Sequence, residues 1–320
     1  MENDLSLEQA NHFITGGAGF IGSQLADRLL KEGHKVTVYD NFCTGHMENV
    51  THNLDHKNFK LIKDDLLNFE ILKESMKGHD IVWHLAANTN ICKGNEITDL
   101  DLNNDTVGTR NVLEAMKQLG MNKIMFPSSS TVYGDMDGAC LSESVGPLLP
   151  ISLYGAGKLA CEGLISAYSF LFDIKACMFR FGNVVGERMD HGVIFDFIQK
   201  LKKNPKELLI LGDGKQRKNF FLIEDCLNGM FTAFKKSEKQ FDVFNLGNGS
   251  FSEVTQIAQI IIEEMGLKNV ELKYTGGKSG WKGDVPVVLY NIDKIKKLGW
   301  EPSHSSDEAI RIATQRLLKS

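Results

Sequence analysis

The sequence predicts an α/β fold: a doubly wound parallel sheet followed by a smaller α+β unit. Three observations carry this. An apolar run, a glycine turn and an amphipathic helix open the chain as "HFIT", "GGAGFIG" and "SQLADRLLKEG". Strand-like and helix-like segments then alternate through about the first 180 residues, the pattern of βα units laid side by side. An acid, Asp40, ends the second strand-like run.

The elements follow in order. "HKVTVYD" is rich in β-branched residues and reads as the second strand. "DIVWHLAA" is a third, too apolar to be anything but buried. "TVGTRNVLEAMKQLG" has helical periodicity and ends on Gly120, a residue suited to a helix stop. "NKIMFPSSS" is a further strand, "SLYGAGKLACEGLISAYSFLF" a helix, and "IKACMFRFGNVVG" a strand entering a loop. After Gly186 the rhythm breaks. Helices such as "GVIFDFIQKLKK" and "EVTQIAQIIIEEMG" mix with the short strands "LLILGD" and "FDVFNLGN". The expected domains are therefore 1–180, carrying the first sheet, and 181–320, with some later chain returning to that sheet.

Composition narrows the function. The chain has 320 residues, a formal net charge of −5 and 42% hydrophobic residues, so it has a large core and no nucleic-acid footprint. The six cysteines are scattered without a C-x-x-C pair, which points to a reducing, cytoplasmic setting rather than a disulfide framework or zinc site. The nine histidines show no metal spacing, and no metal is expected. No apolar stretch reaches the roughly 18 residues of a membrane span. "MENDLSLEQAN" is acidic and reads as a frayed lead-in rather than a signal peptide. "TGGKSGWKG" contains G-K-S, but Leu272 stands where a phosphate loop needs its first glycine, so that reading is rejected.

Gly16, Gly19 and Gly22, with Phe20 and Ile21 between them, form G-x-x-G-x-x-G at a strand-to-helix turn. Bare glycine backbone lets a pyrophosphate approach, and the helix N-terminus offers unpaired N–H groups and a positive dipole. This is the entry of a Rossmann dinucleotide site. Asp40 is placed to accept from a ribose diol and would repel a 2′-phosphate, so NAD is expected rather than NADP. The competing reading is a tight turn with a capping acid.

Read with "VYDN", "HLAA", "NNDTVGTRNVLEA", "SSSTVYG", "YGAGK", "FRFGNVVG", "LGDGKQRKNFFLIED" and "GDVP", the chain resembles the extended short-chain dehydrogenase/reductase family, in particular its NAD-dependent nucleotide-sugar epimerases. The resemblance runs over nearly the whole chain. It implies that Asp40 and Asn41 hold the adenosine ribose and that Asp65 and Leu66 frame the adenine. It places Leu85, Ala86 and Ala87 along the dinucleotide, Asn104 near the nicotinamide ribose, and Asn183 on the sugar nucleotide. It also implies a homodimer built from two helices per subunit.

Tyr154 and Lys158 share one face of a helix, a spacing that is weak alone but falls where the family has its catalytic pair. A tyrosine of pKa near 10 is a poor base at neutral pH, and about 4 kcal/mol of preferential phenolate stabilisation is needed to change that. A neighbouring ammonium and the positive nicotinamide ring supply it. Counting four back from Tyr133 of "VYG" gives Ser129 as the hydroxyl that bonds the reacting sugar oxygen, with Ser130 beside it. Related 4,6-dehydratases follow this hydroxyl with Asp-Glu, and decarboxylases have a Glu nearby. Here the positions are Ser130 and Thr131, which are poor acids. The resemblance thus implies epimerisation, most often at C4 of a UDP-hexose or UDP-uronate. The rivals are a dehydratase or decarboxylase, a reductase, and an NAD-binding protein without turnover. Where the family holds the substrate pyrophosphate with arginines, this chain has Lys218, next to Arg217, and Trp281, next to Lys282. Lysine lacks the bidentate fork of arginine, so the phosphate geometry differs.

Overall fold

A computed structural model describes residues 9–319; the acidic lead-in up to Glu8 lies outside the described residues. The chain forms β1 (Asn11–Thr15), α1 (Phe20–Lys31), β2 (Lys35–Asp40), β3 (Phe59–Lys63), α2 (Phe69–Met76), β4 (Ile81–His84) and α3 (Ile91–Glu96). Next come α4 (Gly108–Leu119), β5 (Lys123–Ser129), β6 (Cys140–Leu141), α5 (Leu153–Phe172) and β7 (Lys175–Phe181). The later chain gives β8 (Asn183–Val185), α6 (Val193–Lys203), β9 (Glu207–Ile210), β10 (Arg217–Lys218), β11 (Phe220–Leu222), α7 (Ile223–Lys236) and β12 (Phe241–Leu246). It ends with β13 (Ser252–Glu253), α8 (Val254–Glu264), β14 (Glu271–Tyr274), β15 (Leu289–Tyr290), α9 (Asp293–Lys296) and α10 (Ser306–Lys319).

Seven strands form one sheet in the order β12-β7-β5-β4-β1-β2-β3. β1 runs parallel to both neighbours, with Phe13 opposite Thr37 on β2 and Val82 on β4. The order reverses between β1 and β4. In a doubly wound sheet, that switch opens the crevice at the carboxyl ends of the strands. β1, β2 and β4 are buried almost throughout, which is why they read as apolar runs and not as alternating ones. "FDVFNLGN" supplies the edge strand β12, so late chain does return to the sheet.

α1 buries Gly22, Leu25, Ala26, Leu29 and Leu30, a helical stripe, against the sheet. A second core lies where α2, α4 and α5 bring Leu72, Met76, Leu113, Met116, Cys161 and Ile165 onto Phe13, Val82, Ile124, Phe126 and Met178. α4 stops at Gly120, whose φ of +69° ends the helix as its sequence requires. Its start differs from expectation. The residues Leu102–Val107 form a π turn before α4, so Thr106 and Val107 lie in a widened coil and not in the regular helix. Such a turn has i→i+5 bonding and leaves no simple periodicity to read.

Two compact units make up the chain. One holds Met1–Ser128, Leu153–Phe179 and Ala233–Val243; the other holds Ser129–Ser152, Arg180–Thr232 and Phe244–Ser320. The second unit pairs β8 with β11, β9 with β14 and β6 with β15, all parallel, and β10 with β13 antiparallel. Buried asparagines knit its loops. Asn245 donates to the carbonyls of Leu141 (2.9 Å) and Asn291 (3.1 Å), and Asn219 accepts from the backbone N–H of Asn248 (2.7 Å). Among the described residues, no helix is long and apolar enough to cross a membrane.

Two buried histidines make the first unit acid-labile. His12 accepts from Trp83 Nε1 at 2.9 Å, and burial, followed by the charges of His34 and His79, lowers its pKa to about 3. His84 is fully buried and also lowered to about 3, by burial and then Lys158. Both are neutral in the fold, whereas the unfolded chain protonates them near pH 6.5. Their contribution is therefore intact above that pH and is lost as pH falls towards 3. Each costs about 2 kcal/mol at pH 5. In His12→Asn, urea unfolding at pH 8 and pH 5 is expected to show about 2 kcal/mol less acid destabilisation than in the parent. An equal loss in both proteins would remove His12 from the account.

Candidate active site

The glycine turn leaves β1 and enters α1. Gly16 has φ +68°, and a Cβ there would lie 2.6 Å from the backbone nitrogen of Ala86. The loop after β4, with Leu85, Ala86 and Ala87, thus lies directly against the glycine backbone. A Cβ on Gly22 would fall 2.3 Å from the carbonyl oxygen of Gly16, so the helix is seated tightly on the turn. Gly19 caps α1 without a side-chain bond, and the first turn, with Phe20 and Ile21, carries no acid. A close-packed bare backbone and an uncountered helix dipole together suit a pyrophosphate.

Asp40 is buried at the end of β2. Its Oδ2 accepts from the N–H of Ala18 (2.9 Å) and its Oδ1 from the N–H of Phe42 (2.8 Å). The capping bonds weighed against a ribose role therefore exist, but one donor per oxygen leaves a lone pair on each for a diol. Burial raises the carboxyl above its usual range, and the two amides pull it back. Asn41 donates to Asp65 Oδ2 at 2.8 Å, and Leu66 is buried with its carbonyl taken by Asn111 Nδ2 at 2.9 Å. The rim expected around an adenosine is thus one connected loop set.

A buried chain of hydrogen bonds lies beneath this crevice. Thr15 Oγ1 meets His84 Nδ1 at 2.7 Å, His84 Nε2 meets Thr109 Oγ1 at 2.9 Å, and Thr109 Oγ1 donates to Cys161 Sγ at 3.2 Å. Since Thr109 spends its proton on sulfur, it accepts from His84. The neutral ring then carries its proton on Nε2 and accepts from Thr15. His84 is structural, as its place in a buried strand implies.

Tyr154 and Lys158 stand one turn apart on α5, with the ammonium 5.8 Å from the centre of the Tyr154 ring. Lys158 is 3% exposed and donates to the carbonyl of Pro127 at 3.0 Å. Burial alone would lower its pKa, but Tyr154, Asp105, Cys161 and Asp101 outweigh it and the pKa is raised. Asn104 lies half-buried on the π turn. The same turn brings in a pair that sequence reading missed. Asn88 donates its backbone N–H to Asp105 Oδ1 (2.9 Å) and its side-chain amide to Asp101 Oδ1 (2.8 Å). The i,i+4 spacing of the two acids was the available signal. Ser128 donates to Glu162 Oε1 at 2.6 Å, so one hydroxyl of the "SSST" run has a structural partner.

In the second unit Ser129 caps the short turn Ser130–Tyr133, its Oγ accepting from the N–H of Thr131 at 3.2 Å. Tyr133 anchors that turn by donating to Asn245 Oδ1 at 2.7 Å, beneath the Arg180 guanidinium 4.7 Å above its ring. Asn183 donates to the Asn219 carbonyl at 3.0 Å. The substitute cations are occupied. Lys218 Nζ donates to Asp284 Oδ1 and the Val285 carbonyl, both at 2.5 Å, and Arg217 pairs with Glu253 at 3.1 Å over the Phe251 ring. The segments "QRKNF" and "GDVP" are therefore side by side, with Trp281 half-buried and Lys282 exposed on the adjoining loop.

The chain is similar to known proteins over most of its length. A UDP-glucuronic acid decarboxylase 1 of Xenopus tropicalis is 33% identical over 93% of this chain and 69% of its own length. A UDP-glucuronate 4-epimerase of Thermodesulfobacterium geofontis is 31% identical over 94% of both. A crystal structure of a UDP-galactose 4-epimerase superposes with a TM-score of 0.86 at 36% identity, over 97% of this chain and 99% of that one. The model of one family spans residues 12–247, from the first strand past Tyr154 and Lys158. On that match the chain belongs to the NAD dependent epimerase/dehydratase family, with NAD as its cofactor.

Proposed function

We propose that this chain is a UDP-sugar 4-epimerase acting on a UDP-hexose or UDP-uronate. The observation that carries the reading is the turn after β5: Ser129 is followed by Ser130, Thr131, Val132 and Tyr133, none of them a carboxylic acid. Eliminating water from a keto sugar needs an acid to protonate the leaving hydroxide, and this turn offers none. Relatives of both kinds, epimerases and decarboxylases, stand at similar identity, so local chemistry must decide between them.

Gly16, Gly19 and Gly22 hold the dinucleotide pyrophosphate, and Asp40, Asn41, Asp65 and Leu66 its adenosine. Leu85, Ala86, Ala87 and Asn104 complete the cofactor site. NAD, when bound, supplies a reversible hydride acceptor. Tyr154, as phenolate, takes the proton of the sugar 4-hydroxyl; Lys158 stabilises that phenolate, and Ser129 hydrogen-bonds the reacting oxygen. The keto sugar then turns over, so that the opposite face of C4 would meet the hydride held by the cofactor, and Tyr154 returns the proton to the 4-oxygen. Ser130, Asn183, Arg217, Lys218, Trp281 and Lys282 line the nucleotide-sugar side, with Lys218 reaching a phosphate only by sharing or leaving Asp284. Each turnover restores both Tyr154 and the cofactor, so nothing is consumed. The working form is a cytoplasmic homodimer. The exposed residues Leu153, Ala156, Ala160, Gly163, Ala167 and Phe170 of α5, spaced as one helical seam, support that assembly.

The test is incubation of purified protein with UDP-, TDP-, GDP- and CDP-sugars, followed by proton NMR without added reductant. A C4 epimer of a UDP-sugar that settles to a constant ratio is expected. A decarboxylated pentose or a 4-keto-6-deoxy sugar would replace this reading with the lyase one.

A further inference from the structure

Asp105 and Asp101 are two of the most buried acids among the described residues, 2% and 1% exposed. Asn88 clamps one oxygen of each. The other oxygens, Oδ2 of both, are buried without a hydrogen-bond partner. Gly157, one residue before Lys158, has no side chain, and a Cβ there would stand 3.4 Å from Asp105 Oδ2. Gly94 of α3 packs on the other acid; a Cβ there would overlap Asp101 Oδ2 at 2.3 Å. Gly157 thus admits the Asp105 carboxylate to the flank of α5, and Gly94 admits that of Asp101 to α3. Two dry carboxylate oxygens are costly unless a positive charge answers them, and the buried Lys158 directly follows Gly157 on α5.

We propose that Asp105, seconded by Asp101, is a positioning residue for the Tyr154–Lys158 pair: it sets the field around the Lys158 ammonium and couples the charge of Tyr154 to its own. A carboxylate here draws on the same positive charge that a phenolate needs. Protonating or neutralising it releases that charge to Tyr154. The titratable groups that act on it are Lys158 of α5 and Asp101 on its own turn, and its charge reaches Cys161 of α5; Tyr154 of α5 acts on Lys158, and Lys158 acts on His84 at the end of β4. Glu162 of α5 is engaged by Ser128. His84 stays neutral, and burial pushes the Cys161 thiol up to about 11, so neither changes charge in the working range. Burial raises Asp105 to about 6 against the pull of Lys158, which puts its change of charge close to neutrality.

This rests on Tyr154 being the base, and the test separates the two. The ultraviolet absorbance of tyrosinate is titrated in NAD-loaded protein, and the contribution of Tyr154 is isolated by subtracting Tyr154→Phe. Asp105→Asn is expected to move that midpoint down by about one pH unit, a tenfold rise in phenolate at fixed pH. Asp101→Asn is the second variant and should move it the same way by less. A midpoint unmoved in folded, NAD-loaded variants overturns the coupling while leaving epimerisation intact. A titration with no Tyr154 component overturns the coupling and the base assignment together. A shifted midpoint in a protein that makes no epimer supports the coupling and removes the proposed reaction.

Discussion

Tyr154→Phe is expected to lower turnover by about 10²–10⁴ while leaving the fold and the bound NAD in place. The change removes one oxygen and nothing else. The Phe ring keeps the packing of α5, and Lys158 keeps its bond to the Pro127 carbonyl. What is lost is the hydroxyl proposed to take a proton from a sugar and give it back. The measurement is kcat together with NAD content and thermal stability of the purified variant. A variant that keeps full turnover would take Tyr154 out of the chemistry, whatever its place in the fold. A variant that loses NAD as well would show that the hydroxyl serves the cofactor before it serves the substrate.

Gly16→Ala is expected to abolish NAD binding and to destabilise the protein by about 2–5 kcal/mol. Two costs add. An L-residue at φ +68° has its Cβ crowded against the backbone, which costs about 1–2 kcal/mol. The methyl also lands on backbone, 2.6 Å from Ala86 N and 2.7 Å from Ala86 Cα, so no side chain can turn aside. Relief requires the turn and the loop after β4 to part, at about the 1–3 kcal/mol of an overpacked core. Those two segments are the walls of the proposed dinucleotide crevice. Equilibrium dialysis against NAD and urea unfolding check both halves. Retained NAD affinity would mean that the crevice tolerates widening and that the glycine is needed only for the turn.

What could be read from the sequence was local. The glycine turn, Asp40 at its strand end, and the Tyr154–Lys158 spacing each depend on a few neighbouring residues, and the parallel sheet follows from the alternation of such units. What could not be read depends on distant partners or irregular coils. The bond of Lys218 to Asp284 left no local trace, because the two are 66 positions apart. Tyr133 of "VYG" is fixed by Asn245, 112 positions away. The π turn hid Asp105 behind Asn104: the motif "NNDTVGTRNVLEA" is legible, but a widened coil changes which side chain points inward. The hydroxyl run divides in a way that spacing could not show, with Ser128 committed to Glu162 and Ser129 left to cap the following turn.

The edge strand β12 has a consequence for how the protein is made. The segment Phe241–Leu246 pairs with β7, yet about sixty residues separate the two in the order of synthesis. Until the ribosome has delivered that segment, β7 presents an open edge of unmet N–H and C=O groups along the apolar run "KACMFRF". Such an edge recruits other strands. A nascent or truncated chain that stops short of Phe241 is therefore the species most exposed to aggregation. Expression at low temperature, or with holdase chaperones present, should improve yield by shielding β7 during that interval.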